Sequence, residues 1–321
     1  MNARRQRIVF LQRAAVLCGV LVLVITSLSA FIRLSNAGLS CNDWPRCYGQ
    51  ALREAQRSMP ARGESQALAT ARLVHRIVAV AALLLVISMV AACFATSPIL
   101  PVQGGAALAL LALALFLAVL GIWTTGARVP AVAMGNLLGG FGMLALCASM
   151  AGPERSRSTH LPTFASAAFA WAAAAVLIGQ IVLGALVSAT YAGLSCPDLT
   201  GCDLSATAGV WETLSPWREP RVGIPAVNAA GALVPVNPAG ALAHALHRIG
   251  AIVTLLVLLP LGLMAIRRGR RQAGWVLLAL LAVQASLGVL MIVYAIPLPL
   301  ALAHNLVAAL MLAVVVRLAW T

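Results

Sequence analysis

The chain has 321 residues, 62% of them apolar and 9% charged. Soluble domains carry about 25% charged residues, so this balance excludes a water-soluble globular protein and marks an integral membrane protein. The formal charge of +14 rests on 22 basic residues, all arginine; they flank apolar runs, and so read as topology and anionic-lipid signals, excluding a nucleic-acid-binding surface.

Arg4, Arg5, Arg7 and Arg13 lead into an apolar run over 14–32. That run is longer than the roughly 7–15-residue core of a signal peptide and has an internal counterpart, so it is the first predicted membrane helix. A polar loop rich in Gly, Ser, Arg and Gln follows over 33–71. Further apolar runs cover 72–96, 102–125, 130–150, 164–190, 240–266, 273–295 and 299–320. Each is near the roughly 20 residues needed to cross a bilayer. The breaks fall at Ser97-Pro98 and Pro101, Gly126 to Pro130, Gly152-Pro153, Arg267 to Arg271, and Pro297 with Pro299, where glycine, proline and charge interrupt a helix. The predicted fold class is all-α integral membrane, with eight transmembrane helices.

The arginines also orient the chain. Short connections on one side hold Arg4, Arg5, Arg7, Arg13, Arg155, Arg157, Arg267, Arg268, Arg270 and Arg271, and the short connections on the other hold only Arg128. The positive-inside rule puts both termini in the cytoplasm and the long loops 33–71 and 191–239 outside, in a multi-pass plasma (bacterial inner) membrane. Cys18, Cys93 and Cys147 lie in apolar runs and read as small buried hydrophobes. Cys41 with Cys47, and Cys196 with Cys202, fall in the outer loops. On an oxidising side such pairs are expected as disulfides, the alternative being free thiols.

The two halves repeat. SAFIRLSNAGLSCNDWPRC at the end of the first helix aligns with GALVSATYAGLSCPDLTGC at the end of the fifth, and LVHRIVAV in the second aligns with ALHRIGAI in the sixth. LGIWTTGARVPAVAMGNLL, across helices three and four, aligns with LGVLMIVYAIPLPLALAHNLV, across seven and eight. Two repeated four-helix bundles are predicted, over 1–150 and 164–321, joined by an inner linker at 151–163. Four helices separate equivalents, so the repeats have the same orientation.

Ionisable residues inside a span are functional candidates by default. His247 and His304 are expected at the same depth on helices running the same way. Facing imidazoles in a helical bundle are the usual arrangement for a bis-histidine haem. The alternative is a structural, hydrogen-bonding histidine; zinc fits less well, lacking further ligands at tetrahedral spacing. His244, one turn before His247, is a substitute ligand without a repeat counterpart, and His160 lies in the linker. Arg248, and Arg76 in the first half, are placed to pair with haem propionates or to snorkel to the headgroups.

Together these features resemble the heme A synthase family over essentially the whole chain. The most specific pieces are GLSCNDWPRC at 38–47, LVHRI at 73–77, AGLSC at 192–196, HRIGA at 247–251 and AHNL at 303–306. The resemblance implies oxidation of a ring methyl of haem O to the formyl group of haem A, which serves terminal oxidases. It implies a haem B for electron transfer on His247 and His304, and haem O as substrate in the N-terminal half, its iron on His75 as the catalytic centre, with Cys41 and Cys47 beside the site. Two positions depart from the family pattern. Asn136 stands where the family's fourth helix carries a histidine, and Arg72 where it tends to place a glutamate. A haem in the first half is therefore expected to be five-coordinate on His75.

Two other functions compete. A cytochrome b-like electron-transfer or haem-binding protein of the same fold, without synthase activity, is favoured by Asn136 and Arg72. A two-repeat transporter is disfavoured, because no carboxylate lies within a span. The expected partners are the lipid bilayer, a membrane enzyme supplying haem O, an electron donor of unspecified kind, and further copies of the chain in a homo-oligomer.

Overall fold

The computed structural model describes residues 3–36, 66–124, 129–152, 164–196, 198–205, 209–220, 226–227, 233–234 and 236–320. Eight helices in it are long and apolar enough to cross a membrane. They are α1 Ala3–Asn36, α2 Gln66–Phe94, α3 Pro101–Thr124, α4 Pro130–Met150, α5 Phe164–Ala189, α6 Ala241–Arg267, α7 Arg271–Val293 and α8 Leu298–Trp320. An α-helix satisfies its backbone hydrogen bonds internally, which is what allows an apolar segment to enter lipid at all.

Helix bounds depart from the apolar runs mainly in the first half. α1 begins at Ala3 and ends at Asn36, beyond the expected 14–32, and α2 begins at Gln66 within the expected 33–71 loop. Helical hydrogen bonding does not stop where the side chains turn polar, so α1 carries its arginines past the apolar core. Arg7 reaches the turn between α2 and α3, donating to the carbonyl of Thr96 at 2.8 Å, its Oγ1 at 2.7 Å and the carbonyl of Pro98 at 2.5 Å. Arg270, in the α6–α7 turn, similarly donates to the carbonyls of Arg317 and Leu318 at the end of α8. A cation there faces the negative end of the helix dipole.

In the first half α1 packs on α2 and α4, and α3 packs on α2 and α4; in the second α5 packs on α6 and α8, and α7 packs on α6 and α8. Between the halves α4 packs on α8 and α5, and α1 packs on α8. α4 and α5 are the most enclosed spans and α7 the least. One buried cluster runs through both halves, from Leu11, Cys18 and Val22 through Met89, Leu144 and Cys147 to Leu177, Leu258, Leu277 and Met311. Lipid tails are as apolar as leucine, so close helix approach and not water exclusion holds such a bundle together.

On the side of the α5–α6 connection the chain is more ordered than a plain loop. A 3₁₀ turn at Ala192–Leu194, a short helix at Val210–Leu214, a two-residue antiparallel pair of Ala226–Val227 with Leu233–Val234, and a second 3₁₀ turn at Pro238–Gly240 lie between the two helices.

The α6–α7 contact is the tightest helix approach to test. A Cβ on Gly274 would come within 2.7 Å of the Gly262 carbonyl oxygen and 3.0 Å of the Ile266 nitrogen, both backbone atoms that cannot swing aside. Gly274→Ala is expected to destabilise the protein by about 1–3 kcal/mol as overpacking. Gly105→Ala on α3, which meets nothing within 4 Å, is the control, expected to leave stability unchanged or raise it slightly. Thermal unfolding of the two variants in one detergent checks this.

Candidate haem site in the C-terminal half

His247 and His304 occupy matching positions, six residues beyond Ala241 and Leu298, the starts of α6 and α8. At about 1.5 Å rise per residue both stand roughly 9 Å inside their helices. α6 and α8 each pack on α5 and α7, so the two histidines enter the bundle from diagonal corners. His247 lies within electrostatic reach of both His304 and His244.

Each imidazole meets a glutamine from a neighbouring helix. The Gln180 amide nitrogen, on α5, lies 3.0 Å from His247 Nδ1 and donates to the His247 backbone carbonyl at 3.0 Å. The Gln284 amide nitrogen, on α7, lies 3.1 Å from His304 Nε2. His304 Nδ1 and both glutamine Oε1 atoms are buried without a hydrogen-bond partner. Small residues flank the rings: a Cβ on Gly184 would fall 2.8 Å from His247 Cε1, and one on Gly288 would fall 3.6 Å from His304 Cε1. Neither glutamine is a usual ligand type, so ligand spacing in the sequence does not single them out. The signal was present, because each is an amide in the middle of an apolar run, where every polar group needs a partner.

His244 is buried, and its Nε2 accepts from Arg248 Nε at 3.3 Å. Arg248 turns outward along α6 and donates to the carbonyls of Cys196 at 2.6 Å, Asp198 at 2.6 Å and Leu199 at 3.2 Å. Most of its donors thus hold the loop after AGLSC, and few remain for a propionate. Cys196 and Cys202 are brought together with Cα atoms 4.6 Å apart, both sulfurs near the Ala241 carbonyl at the start of α6. Asn237 closes the base of the loop, donating its side-chain amide to the Thr190 carbonyl at 2.9 Å and accepting at its backbone carbonyl from Ser195 Oγ at 2.5 Å.

In the first half His75 is half-buried on α2 and Arg76 beside it is exposed. Asn136 is half-buried on α4, six residues beyond Pro130, at the register that His304 holds in α8. The α5–α6 connection reaches this half, since Ala131 N–H at the start of α4 donates to the Pro216 carbonyl at 2.8 Å. Cys41, Cys47 and His160 lie outside the described residues.

The COX15-CtaA family model, described as cytochrome oxidase assembly protein, matches residues 12–316. The chain belongs to that family. A relative from Shewanella oneidensis named heme A synthase is 31% identical over 318 residues, covering 93% of this chain and 92% of the relative. The family match extends through all eight helices, so this COX15-CtaA member is a multi-pass membrane protein, as its composition indicates.

The clamp formed by Arg248 yields a prediction. Hydrogen bonds from a charged donor contribute about 1.5–3 kcal/mol each. Arg248→Met is expected to release the 196–199 segment from α6. Labelling of Cys196 and Cys202 by a maleimide under mild reductant should then rise roughly tenfold or more, with no change at Cys18, Cys93 or Cys147. Mass-spectrometric mapping of the labelled cysteines measures it.

Proposed function

We propose that this COX15-CtaA protein oxidises a ring methyl of haem O to the formyl group of haem A for terminal oxidase maturation, and that a haem B between His247 and His304 relays electrons to that reaction. The observation that carries the reading is the pair of histidines at equal depth on diagonal helices, in a chain that the family model matches over residues 12–316. The relative's name, heme A synthase, supports the reaction.

The residues fit a haem. Two imidazoles at the same register of α6 and α8 would supply nitrogen ligands, and His304 Nδ1 is buried without a hydrogen-bond partner. Gly184 and Gly288 keep side-chain bulk away from both rings. When bound, haem B supplies one-electron chemistry. The chain supplies the neutral ligands, the apolar walls and, through the Arg248-held loop, a cover over the outer end of the site. In the N-terminal half His75 would bind the substrate iron and Arg76 a propionate, with Asn136 opposite. An asparagine amide is a poor ligand for haem iron, so that iron keeps one open position.

Two repeated bundles, over 1–150 and 164–321 with a linker at 151–163, belong to the same proposal. The α1–α8 and α4–α5 packings are counterparts of one another under the repeat, and α4–α8 is its own counterpart. Arg33 donates to Ser188 Oγ at 2.6 Å, and in the aligned motifs these two residues are the same position. A residue touches its own counterpart only near an axis relating the halves. Arginine placement supports cytoplasmic termini with the cysteine loops outside, and disulfides Cys41–Cys47 and Cys196–Cys202 go with that side. A membrane enzyme delivering haem O, an electron donor and self-association into a homo-oligomer complete the proposed setting.

Asn136 and Arg72 favour a second reading, a membrane haem-binding or cytochrome b-like electron-transfer protein without synthase activity. Pigment extraction after co-expression with a haem O source separates the two. Haem A is expected with the wild-type chain, and none with His75→Ala, whose low-spin haem B spectrum stays intact. His247→Ala and His304→Ala should each lose that low-spin spectrum. Haem B without haem A in the wild type would select the second reading, and a colourless protein would sink both.

A further inference from the structure

The contact between Gln180 and His247 has a feature absent from the other half. Gln180 reaches two atoms of a single residue, the Nδ1 and the backbone carbonyl of His247. It reaches them across Gly250, three residues further along α6, where any Cβ would collide with Gln180 Oε1. The glycine of the HRIG motif is therefore the slot that admits the amide. Under the alignment of AGLSC with AGLSC, the counterpart of Gln180 is Ile25. Under the alignment of HRIV with HRIG, the counterpart of Gly250 is Val78. Amide and slot are both replaced by apolar side chains in the half that carries His75.

The chemistry of a ligating imidazole explains what such an amide does. Iron takes the lone pair of one ring nitrogen, so the other must hold the proton, and the partner of that second nitrogen sets the tautomer. The two ends of a glutamine amide are nearly the same size and shape. Iron on Nε2 requires the Gln180 amide turned over, with Oε1 at Nδ1 in place of the amide nitrogen; the oxygen, otherwise buried without a partner, gains one, and the bond to the His247 carbonyl is given up. Nδ1 then donates, and Nε2 presents its lone pair. Hydrogen bonding from Nδ1–H also makes the imidazole more basic, which favours the ferric over the ferrous state of a bound haem.

We propose that Gln180, seated over Gly250, is a positioning residue that fixes the tautomer of His247 and lowers the reduction potential of the haem held there. This rests on the haem B reading above. The amide distinguishes the relay site from the substrate site, whose His75 has no such partner at the equivalent position.

The test uses the full-length protein purified with its haem, read by optical redox titration and by EPR. Persistence of the low-spin signal in His247→Ala would overturn the haem reading, and this assignment with it. With the signal lost in that variant, Gln180→Leu and Gln180→Glu decide the matter. Gln180→Leu should raise the midpoint potential, alter the EPR g-values and weaken haem retention about 10–100-fold. Gln180→Glu, a stronger acceptor of the same shape, should retain haem and shift the potential the opposite way. Gly250→Val, which closes the slot, should behave like Gln180→Leu. Wild-type potential and g-values in both Gln180 variants, or shifts of the same sign in both, would overturn the positioning role while leaving the haem site standing.

Discussion

A polar group inside a bilayer has no water to fall back on, and this one constraint organises the protein. It forces the backbone into helices, which close their own hydrogen bonds. It also means that the few polar side chains left within the spans must answer one another across helices. His247 is met by Gln180 and His304 by Gln284. Thr190 and Thr254 return to their own helix, donating to the carbonyls of Leu186 and Gly250. What remains is packing by shape, and here glycines such as Gly262 and Gly274 let α6 and α7 approach until backbone nearly meets backbone.

The same constraint explains the arrangement around the start of α6. Arg248 follows His247 directly in sequence, yet the two side chains serve different layers. One turns into the bundle; the other turns along the helix to hold three carbonyls of the loop above it. Loop closure and ligand placement thus share a single helical turn. The cysteine-bearing loop is tied to α6 beside the proposed ligand through Arg248 and the Ala241 carbonyl, and Arg248 in turn meets His244.

Much of this was legible in the sequence. Eight apolar runs gave eight spanning helices, because hydropathy measures the property that the bilayer selects. The equal depth of His247 and His304 followed from helical rise alone. The ends of α1 and α2 were less legible: arginines and glutamines continue a helix without announcing it, and hydropathy falls before hydrogen bonding stops. Sequence spacing places Arg248 as a propionate partner or a headgroup anchor, since it shows that a guanidinium points outward but not which carbonyls a folded loop will offer it. The glutamines were missed for a related reason. Their meaning lies in a pairwise contact between α5 and α6, and between α7 and α8, that no single helix carries.

The hydrogen bond between Arg33 and Ser188 has a consequence for how such a chain arises. Under the proposed repeat, a duplicated ancestor would have placed the same residue at both positions, face to face. Two arginines there would set like charges in contact with no water between them, and two serines would leave the space unfilled. Arginine against serine satisfies the place where the copies meet. Joining the halves in one chain lets these two positions differ, which two identical chains meeting at an axis could not do.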